Sequence, residues 1–393
     1  MRRSIRELTI VREPRTRYGS LEDVMHAIRD HRPLDLNAEV WRSAHPAGSF
    51  REWKKLAQQC LSEGLHYDPG PVDLRAAVSA RTERDGYILE TVEFNTTPWF
   101  RVEGYFLLPT GVRYPVPGLV VAHAWGGPML FGKDRIVPEP GGRDHPVLAK
   151  HRREYYSGKY LAEEFARRGY AVIVIDAFHF GPRIPLGFAD IPERLDPYAL
   201  DEKSLMALHE QVSSYRCLHH AVRQLNWAGT TWMGVLFWDD SRSVDYLLSR
   251  KEVDPNRIGC TGLSGGAWRT NVLAALDPRI RASVSVGWMT SGDHQQLYNA
   301  TAVGTFAFLP GVWNRLDLPD LPIMSAPVAS MVVVGTEDPL FDPNGFEEAI
   351  RQIGLGYEWA GCPERFQALA PPKGHCYDAE IQQAAIAWFD QHL

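Results

Sequence analysis

The amino-acid sequence predicts an α/β fold in which helices cover both faces of a mostly parallel sheet. From residue 118 onward, short and continuously apolar segments alternate with helical segments, as in parallel strands that are buried on both faces. Three earlier segments alternate apolar and polar residues and are separated by turn residues, which is typical of antiparallel strands. The sheet is therefore expected to begin with antiparallel strands and to continue with parallel ones.

The predicted elements are short and follow one another without long gaps. Antiparallel strands are expected at residues 72–80, 87–94 and 100–108. Parallel strands are expected at residues 119–122, 171–175, 258–261, 282–286, 331–334 and 366–370. Helices of this domain are expected at residues 160–168, 205–225, 239–249, 267–276, 346–353 and 378–392.

Residues 1–71 are predicted to form a helical N-terminal extension without recognisable chemistry, with helices at residues 21–28 and 50–61. Residues 72–393 are predicted to form one α/β domain, because no linker rich in glycine, serine or proline divides them. Long insertions follow the C-terminal ends of three parallel strands, at residues 126–154, 180–201 and 290–327. Since ligands bind at this edge of open α/β sheets, we expect the insertions to form the walls and lid of a pocket.

The composition excludes several classes of protein. The 393 residues are 45% hydrophobic and 23% charged, as in a soluble globular protein. The formal net charge of -6 offers no basic surface to a nucleic acid, and no apolar stretch is long enough to cross a membrane. The five cysteines show no paired spacing, so neither a disulfide framework nor a metal site is expected. Because the N-terminus lacks the apolar segment of a secretory signal, the sequence indicates a cytoplasmic protein.

Residues 262–266, with the sequence Gly-Leu-Ser-Gly-Gly, fit the G-x-S-x-G pattern of a nucleophile elbow. In this motif a serine lies on a tight turn between a strand and a helix, at the edge of a parallel sheet. The context fits the motif, because a predicted strand precedes it and a predicted helix follows it. Glycine at positions 262 and 266 allows the two backbones to pass close together. Ser264 is therefore the candidate nucleophile.

A serine nucleophile needs a base to accept its proton and a carboxylate to orient that base. Among the 14 histidines, only His375 lies between the predicted final strand and the final helix. Asp338 follows the preceding predicted strand. The chain order Ser264, Asp338, His375 is the order expected for a catalytic triad on a sheet of this type. Glu337 and Asp342 are nearby carboxylates and remain alternatives to Asp338.

Attack by a serine on a carbonyl group builds an oxyanion, which backbone N–H groups must stabilise. One donor is expected from Gly265, the residue after the nucleophile. The other is expected from the loop after the first parallel strand, where residues 123–127 read His-Ala-Trp-Gly-Gly. By position Trp125 is the predicted donor, and Ala124 and Gly126 are the alternatives.

Four stretches of the chain carry a resemblance to a known family, at residues 123–127, 176–183, 262–269 and 277–288. They resemble the dienelactone hydrolase-like and acetyl xylan esterase-like branch of the α/β-hydrolases, over about residues 72–393. Dienelactone hydrolases use a cysteine nucleophile, so Ser264 indicates the esterase side of this branch. The resemblance implies the α/β-hydrolase fold and hydrolysis of carboxylic esters, often acetyl groups on sugars, without a metal or an organic cofactor.

Further residues are expected near a bound substrate because of their places at strand ends: His123, Gly126, Arg183 and Trp288. The rings of Trp125 and Trp288 are expected to bracket a short acyl group, and the alternative is that one or both turn into the core. Arg183 either contacts a polar group of the substrate or pairs with Asp176 inside its loop.

The sequence thus predicts a serine esterase that acts on a small-molecule ester, and it leaves open whether the protein forms a homo-oligomer. A first alternative is a peptidase or amidase related to prolyl oligopeptidases. Those enzymes usually carry a large propeller domain, which a mainly helical extension of about 70 residues cannot form. A second alternative is a non-catalytic binding protein on the same fold, which typically lacks one member of the triad, whereas all three candidates are present here.

Overall fold

A computed structural model describes residues 35–185, 195–214, 216–292 and 304–393, together with residues 15–17, 19, 20, 23, 24 and 27. Residues 186–194 and 293–303, which belong to two of the predicted insertions, lie outside the described residues. The same is true of most of the predicted helix at residues 21–28.

A nine-stranded mixed sheet forms the centre of the protein and confirms the predicted fold class. The strands of the described residues are β1 (Arg15–Thr16), β2 (Gly19–Ser20), β3 (Ala77–Arg84), β4 (Tyr87–Asn95), β5 (Arg101–Pro109), β6 (Val116–Ala122), β7 (Ala171–Ile175), β8 (Val253–Leu263), β9 (Ile280–Val286), β10 (Ala329–Val333) and β11 (Phe366–Leu369). The order in the large sheet is β11-β10-β9-β8-β6-β7-β5-β4-β3, and β1 and β2 form a separate ladder. Strands β6 to β11 pair in parallel, whereas β3, β4 and β5 form an antiparallel edge that joins β7.

The α-helices of the described residues lie between the strands and before the sheet. They are α1 (Ala38–Ala44), α2 (Phe50–Leu65), α3 (Pro146–Tyr155), α4 (Leu161–Arg167), α5 (Glu202–Ser213), α6 (Leu218–Trp227), α7 (Trp232–Leu248), α8 (Gly265–Leu276), α9 (Asp320–Ser325), α10 (Pro343–Trp359) and α11 (Ala379–His392). A search of the described part of the chain found no helix with the length and apolar character needed to cross a membrane.

Helices cover both faces of the sheet, as the apolar strand segments predict. In β7, Val172 and Val174 belong to the same apolar cluster as Phe165 of α4 and Phe389 of α11. The alternate residue Ile173 belongs to the cluster that contains residues of α7. Successive side chains of a strand point to opposite faces, so a run of five apolar residues is buried only when both faces are covered.

Several predicted elements differ from the structure in their bounds. The predicted helix at residues 205–225 is two helices, because α5 ends at Ser213 and α6 begins at Leu218. Helix α7 begins at Trp232, seven residues before the predicted start. The hydroxyl of Thr231 accepts a hydrogen bond from the N–H of Gly234 and caps this earlier start. Strand β3 begins at residue 77 rather than 72, as an almost fully exposed edge strand.

The N-terminal extension packs directly against the helix that follows Ser264. Trp53 of α2 belongs to the same apolar cluster as Trp268 of α8. The side-chain amide of Gln58 donates to the carbonyl of Ala275 at the end of α8, at 2.6 Å. The ammonium group of Lys54 donates to the carbonyl of Ala326 after α9, at 2.7 Å. The extension and the sheet domain therefore share one hydrophobic core.

Candidate active site

Ser264 lies on the turn between β8 and α8. Its backbone has φ 59° and ψ -121°, a conformation that costs a non-glycine residue on the order of 1–3 kcal/mol and is concentrated at functional sites. Its N–H donates to the carbonyl of Val286 at 2.8 Å, and its carbonyl accepts from the N–H of Trp268 at 3.0 Å. This is the backbone geometry of a nucleophile elbow.

Close approach of three backbones explains the glycines on both sides of Ser264. A Cβ atom on Gly262 would lie 2.6 Å from the carbonyl oxygen of Ala122 in the neighbouring strand β6. A Cβ atom on Gly266 would overlap the same oxygen. Any side chain at either position would push α8 away from the sheet, so glycine is needed to hold Ser264 at the strand end.

A hydrogen-bonded histidine and aspartate lie at the same edge of the sheet. The Nδ1 atom of His375 lies 2.7 Å from Oδ2 of Asp338, whose side chain is only 1% exposed. Oδ1 of this carboxylate accepts a hydrogen bond from the N–H of Leu340 at 3.0 Å. An ionised carboxylate only accepts hydrogen bonds, so Nδ1 must carry the proton, and Nε2 is the nitrogen that can accept another.

The strand register places His375 over the strand end beside that of Ser264. The imidazole lies over Gly287, where a Cβ atom would come within 3.0 Å of Cε1 of His375. Gly287 directly follows Val286, which pairs with Leu263 in the parallel ladder of β8 and β9. The imidazole of His375, which follows β11, therefore lies over the end of β9, the strand next to β8, which carries Ser264.

The two other carboxylates considered from the sequence occupy different positions. Glu337 is exposed. Asp342 caps α10, where its side chain accepts a hydrogen bond from the N–H of Asn344 at 3.0 Å. Within the described residues, Asp338 is the carboxylate that the structure pairs with His375.

The backbone of Trp125 lies beside the turn that carries Ser264. A Cβ atom on Gly265 would lie 2.7 Å from Cβ of Trp125 and 3.4 Å from its backbone nitrogen. Gly265 follows β8 and Trp125 follows β6, which are neighbouring parallel strands. Neither amide donates to a carbonyl group among the backbone hydrogen bonds of the described residues outside regular elements. The two N–H groups predicted to form the oxyanion hole thus lie close together.

His123 is buried and uses both ring nitrogens inside the protein. Nδ1 lies 2.9 Å from the carbonyl of Ala124, and Nε2 accepts a hydrogen bond from the N–H of Ala177 at 3.0 Å. Burial, followed by the charges of Arg269 and Arg135, holds the pKa of His123 well below its usual range. The neutral ring therefore links the loop after β6 to the loop after β7.

Arg183 and Asp176 do not pair through their side chains. One guanidinium nitrogen of Arg183 lies 2.7 Å from a carboxylate oxygen of Asp239, and another donates to the backbone carbonyl of Asp176 at 2.9 Å. The carboxylate of Asp176 instead accepts from the ammonium group of Lys133 at 2.6 Å. Both side chains are therefore engaged in buried ion pairs with other residues.

Trp288 lies in the core, whereas Gly126 lies in an exposed loop. The indole of Trp288 is 1% exposed and packs in the core, 4.3 Å from the ring of Trp268 and 6.1 Å from that of Phe341. The ring of Trp288 is thus turned into the core, which was the alternative to a place beside the acyl group. Gly126 is exposed in the loop after β6, and its carbonyl accepts hydrogen bonds from Arg135 and His151.

Two neighbours of the site were not predicted. Tyr155, at the end of α3, lies edge-on to His375 with ring centroids 6.4 Å apart. Arg135 is fully buried and contacts the carbonyl groups of the loop that carries Trp125. The only signal in the sequence was the charged run Lys-Asp-Arg at residues 133–135 within a predicted insertion, and charged runs in loops are normally exposed.

Comparisons with known proteins agree with this architecture. YtaP of Bacillus subtilis (strain 168), a protein provisionally named a hydrolase, is 23% identical to this chain over 334 residues. The aligned residues cover 82% of this chain and 96% of that protein. A crystal structure from Bacteroides fragilis NCTC 9343, provisionally named an acetyl xylan esterase, has a TM-score of 0.65 at 19% identity and covers 94% of this chain and 87% of that one. A glucuronoyl esterase from Solibacter usitatus has a TM-score of 0.59 at 15% identity, with 90% and 93% covered.

The sequence model of the Abhydrolase family matches residues 8–384, nearly the whole chain. This match includes the turn that carries Ser264, the His–Asp pair and the loop after β6. It also includes most of the N-terminal extension. The chain belongs to the Abhydrolase family, and the resemblance to the α/β-hydrolases inferred from its motifs is confirmed.

Proposed function

We propose that this protein is a serine carboxylic-ester hydrolase that acts through an acyl-enzyme on short-chain, acetyl-type esters, including those of carbohydrates. The observation that carries the proposal is the buried Asp338 bonded to His375, beside a serine on a left-handed turn. Such a constellation activates a hydroxyl group that is otherwise a weak nucleophile at neutral pH.

In the first half of the reaction, Oγ of Ser264 attacks the ester carbonyl carbon while Nε2 of His375 accepts the serine proton. The negative charge that develops on the carbonyl oxygen meets the N–H groups of Trp125 and Gly265. The imidazolium ion then protonates the leaving alcohol oxygen, the C–O bond breaks, and the acyl group remains on Ser264.

In the second half, a water molecule attacks the acyl carbon, and His375 accepts one of its protons. The same two N–H groups stabilise the second tetrahedral intermediate. Its collapse returns the proton to Ser264 and releases the carboxylic acid. Throughout the cycle, Asp338 stabilises the imidazolium ion and maintains the orientation of the ring.

The surroundings of Trp125 support a short acyl group. Its ring packs against three other aromatic rings, with centroid distances of 4.6 Å to Phe180, 4.3 Å to Trp232 and 4.6 Å to Phe306. Such close packing leaves the ring little freedom to move aside for a long chain. The names of two structural relatives, an acetyl xylan esterase and a glucuronoyl esterase, support carbohydrate esters as the substrate class.

A fluorophosphonate probe tests the proposed mechanism directly. These reagents react with a base-activated serine beside an oxyanion hole, so we expect one covalent adduct per chain, located on Ser264 by mass spectrometry of the peptides. Denatured protein serves as the control and should stay unlabelled. Absence of an adduct on the folded protein would favour a non-catalytic binding protein, and labelling of another serine would reject the assignment of the nucleophile.

The acyl-chain preference is a second expected result. We expect kcat/KM to fall from p-nitrophenyl acetate to butyrate to octanoate, because overfilling a close-packed site costs about 1–3 kcal/mol, or roughly 5- to 150-fold in rate. Phe306→Ala removes a ring packed on Trp125 and should reduce the difference in kcat/KM between the acetate and octanoate esters. Phe308→Ala, in the same segment but 56% exposed, is the matched control and should leave it unchanged. A parent protein that prefers octanoate would contradict the acetyl-ester proposal.

A further inference from the structure

We propose that Arg135 is a positioning residue of the oxyanion hole, and that its buried guanidinium fixes the direction of the Trp125 N–H group. The inference rests on the proposed serine esterase function. It assigns a role in the reaction to a side chain outside the Ser264, Asp338 and His375 triad.

The guanidinium of Arg135 donates hydrogen bonds to several carbonyl groups of the loop after β6. Nη1 lies 2.8 Å from the carbonyl oxygen of Ala124, 2.7 Å from that of Gly126 and 3.5 Å from that of Trp125. Nη2 donates to the carbonyl of Pro128 at 2.5 Å. One rigid fork of donors therefore sets the path of the loop over five residues.

The geometry of a single peptide group connects this contact to catalysis. The carbonyl of Ala124 and the N–H of Trp125 belong to one peptide unit, which is planar and trans, so the two groups point in opposite directions. A carbonyl held against Arg135 on one side therefore directs the N–H to the other side. Gly265 lies close to this peptide group, because a Cβ atom on it would come within 3.4 Å of the nitrogen of Trp125.

The environment of Arg135 differs from that of an arginine that serves stability alone. The side chain is fully buried and stacks on Phe180, with the guanidinium carbon 5.1 Å from the ring centroid. None of the ion pairs among the described residues includes Arg135, whereas the neighbouring Lys133 pairs with Asp176. A buried cation without a direct counter-ion lowers stability relative to an apolar residue. Such a cost is typical of functional sites.

The positive charge of Arg135 also lies near the proposed oxyanion donor. Burial lowers the pKa of Arg135 to about 10, so the side chain remains charged at neutral pH. Its charge lies behind the peptide group that donates to the oxyanion, and charge near a developing oxyanion stabilises the transition state more than the ground state. His151 contacts the same loop, with Nε2 3.2 Å from the carbonyl oxygen of Gly126.

The test compares Arg135→Lys and Arg135→Met with the parent protein. Lysine retains the charge but has a single ammonium group, which cannot reproduce the planar fork. We expect kcat for p-nitrophenyl acetate to fall on the order of 10²- to 10³-fold in the methionine variant, as when an oxyanion donor is lost. The loss should be smaller with lysine, and KM should change less than about threefold in both. Binding of a boronic acid, which forms a tetrahedral adduct with the serine, should weaken in proportion to kcat/KM.

Arg250→Met is the matched control. Arg250 is a largely buried arginine that pairs with Glu90 at 2.5 Å, and it precedes β8 at the opposite edge of the sheet. This variant should lose thermal stability without losing kcat or boronic acid affinity. Parental kcat and boronate affinity in folded Arg135→Lys would overturn the positioning role, even if the methionine variant failed to fold. A parent protein without ester turnover or boronate binding would instead reject the proposed function itself.

Discussion

Replacing Ser264 by alanine is expected to lower kcat for p-nitrophenyl acetate on the order of 10⁶-fold. The variant keeps the turn, the His375–Asp338 pair and the oxyanion donors but has no oxygen to form the acyl-enzyme. Residual hydrolysis should come only from binding and from the oxyanion hole. Steady-state kinetics and fluorophosphonate labelling of the same preparation measure the effect.

Ser264→Gly separates loss of chemistry from loss of structure. Glycine also lacks the hydroxyl group, but it adopts a φ of 59° without the strain that a residue with a Cβ atom experiences. We expect this variant to be as inactive as Ser264→Ala and at least as stable as the parent in thermal unfolding. An alanine variant that retains more than about one hundredth of the parental kcat would place the nucleophile elsewhere.

Asp338→Asn is expected to lower kcat about 10⁴-fold while the fold is retained. The carboxylate accepts a hydrogen bond from Nδ1–H of His375 and thereby leaves Nε2 free to accept the proton of Ser264. An amide in the same place is able to donate to Nδ1, which stabilises the wrong tautomer, and it carries no charge to balance the imidazolium ion. Pre-steady-state acylation rates, with far-ultraviolet circular dichroism as a check on folding, test this expectation.

Two neighbouring carboxylates provide the controls for Asp338→Asn. Glu337→Gln changes an exposed side chain and should leave kcat within a fewfold of the parent. Asp342→Asn changes the N-cap of α10 to a residue of similar capping strength, so its effect on stability should also be small. If either control variant were as slow as Asp338→Asn, the carboxylate of the triad would be misassigned.

Much of the fold could be predicted because the parallel strands are buried on both faces. Five consecutive apolar residues in β7 leave few alternatives to a central strand. The break between α5 and α6 was not predicted, because residues 205–225 show no proline or glycine that would end a helix. At the end of α5 the backbone of Ser214 is extended and its hydroxyl donates to the carbonyl of Gln211, a break that helix propensity, a weak guide, does not indicate.

For the candidate site, chain order and strand ends predicted Ser264, Asp338 and His375, which the proposed function uses as its triad. Parallel strands place their carboxyl ends at one edge, so residues far apart in sequence meet there. The partners of Arg135 and His123 were not predictable in the same way. Both side chains bond to backbone groups of loops, and the sequence of a loop carries little information about where its carbonyl and N–H groups point.

The packing of the N-terminal extension has a consequence for cooperativity. Trp53 and Trp268 share one cluster, and Gln58 is bonded to the last turn of the helix that begins after Ser264. The predicted boundary near residue 71 therefore does not separate two independently folding units, because the extension and the sheet domain each cover apolar surface of the other. Extension and sheet should melt in a single transition, and proteolytic removal of α2 should inactivate the enzyme although it removes no residue of the proposed triad.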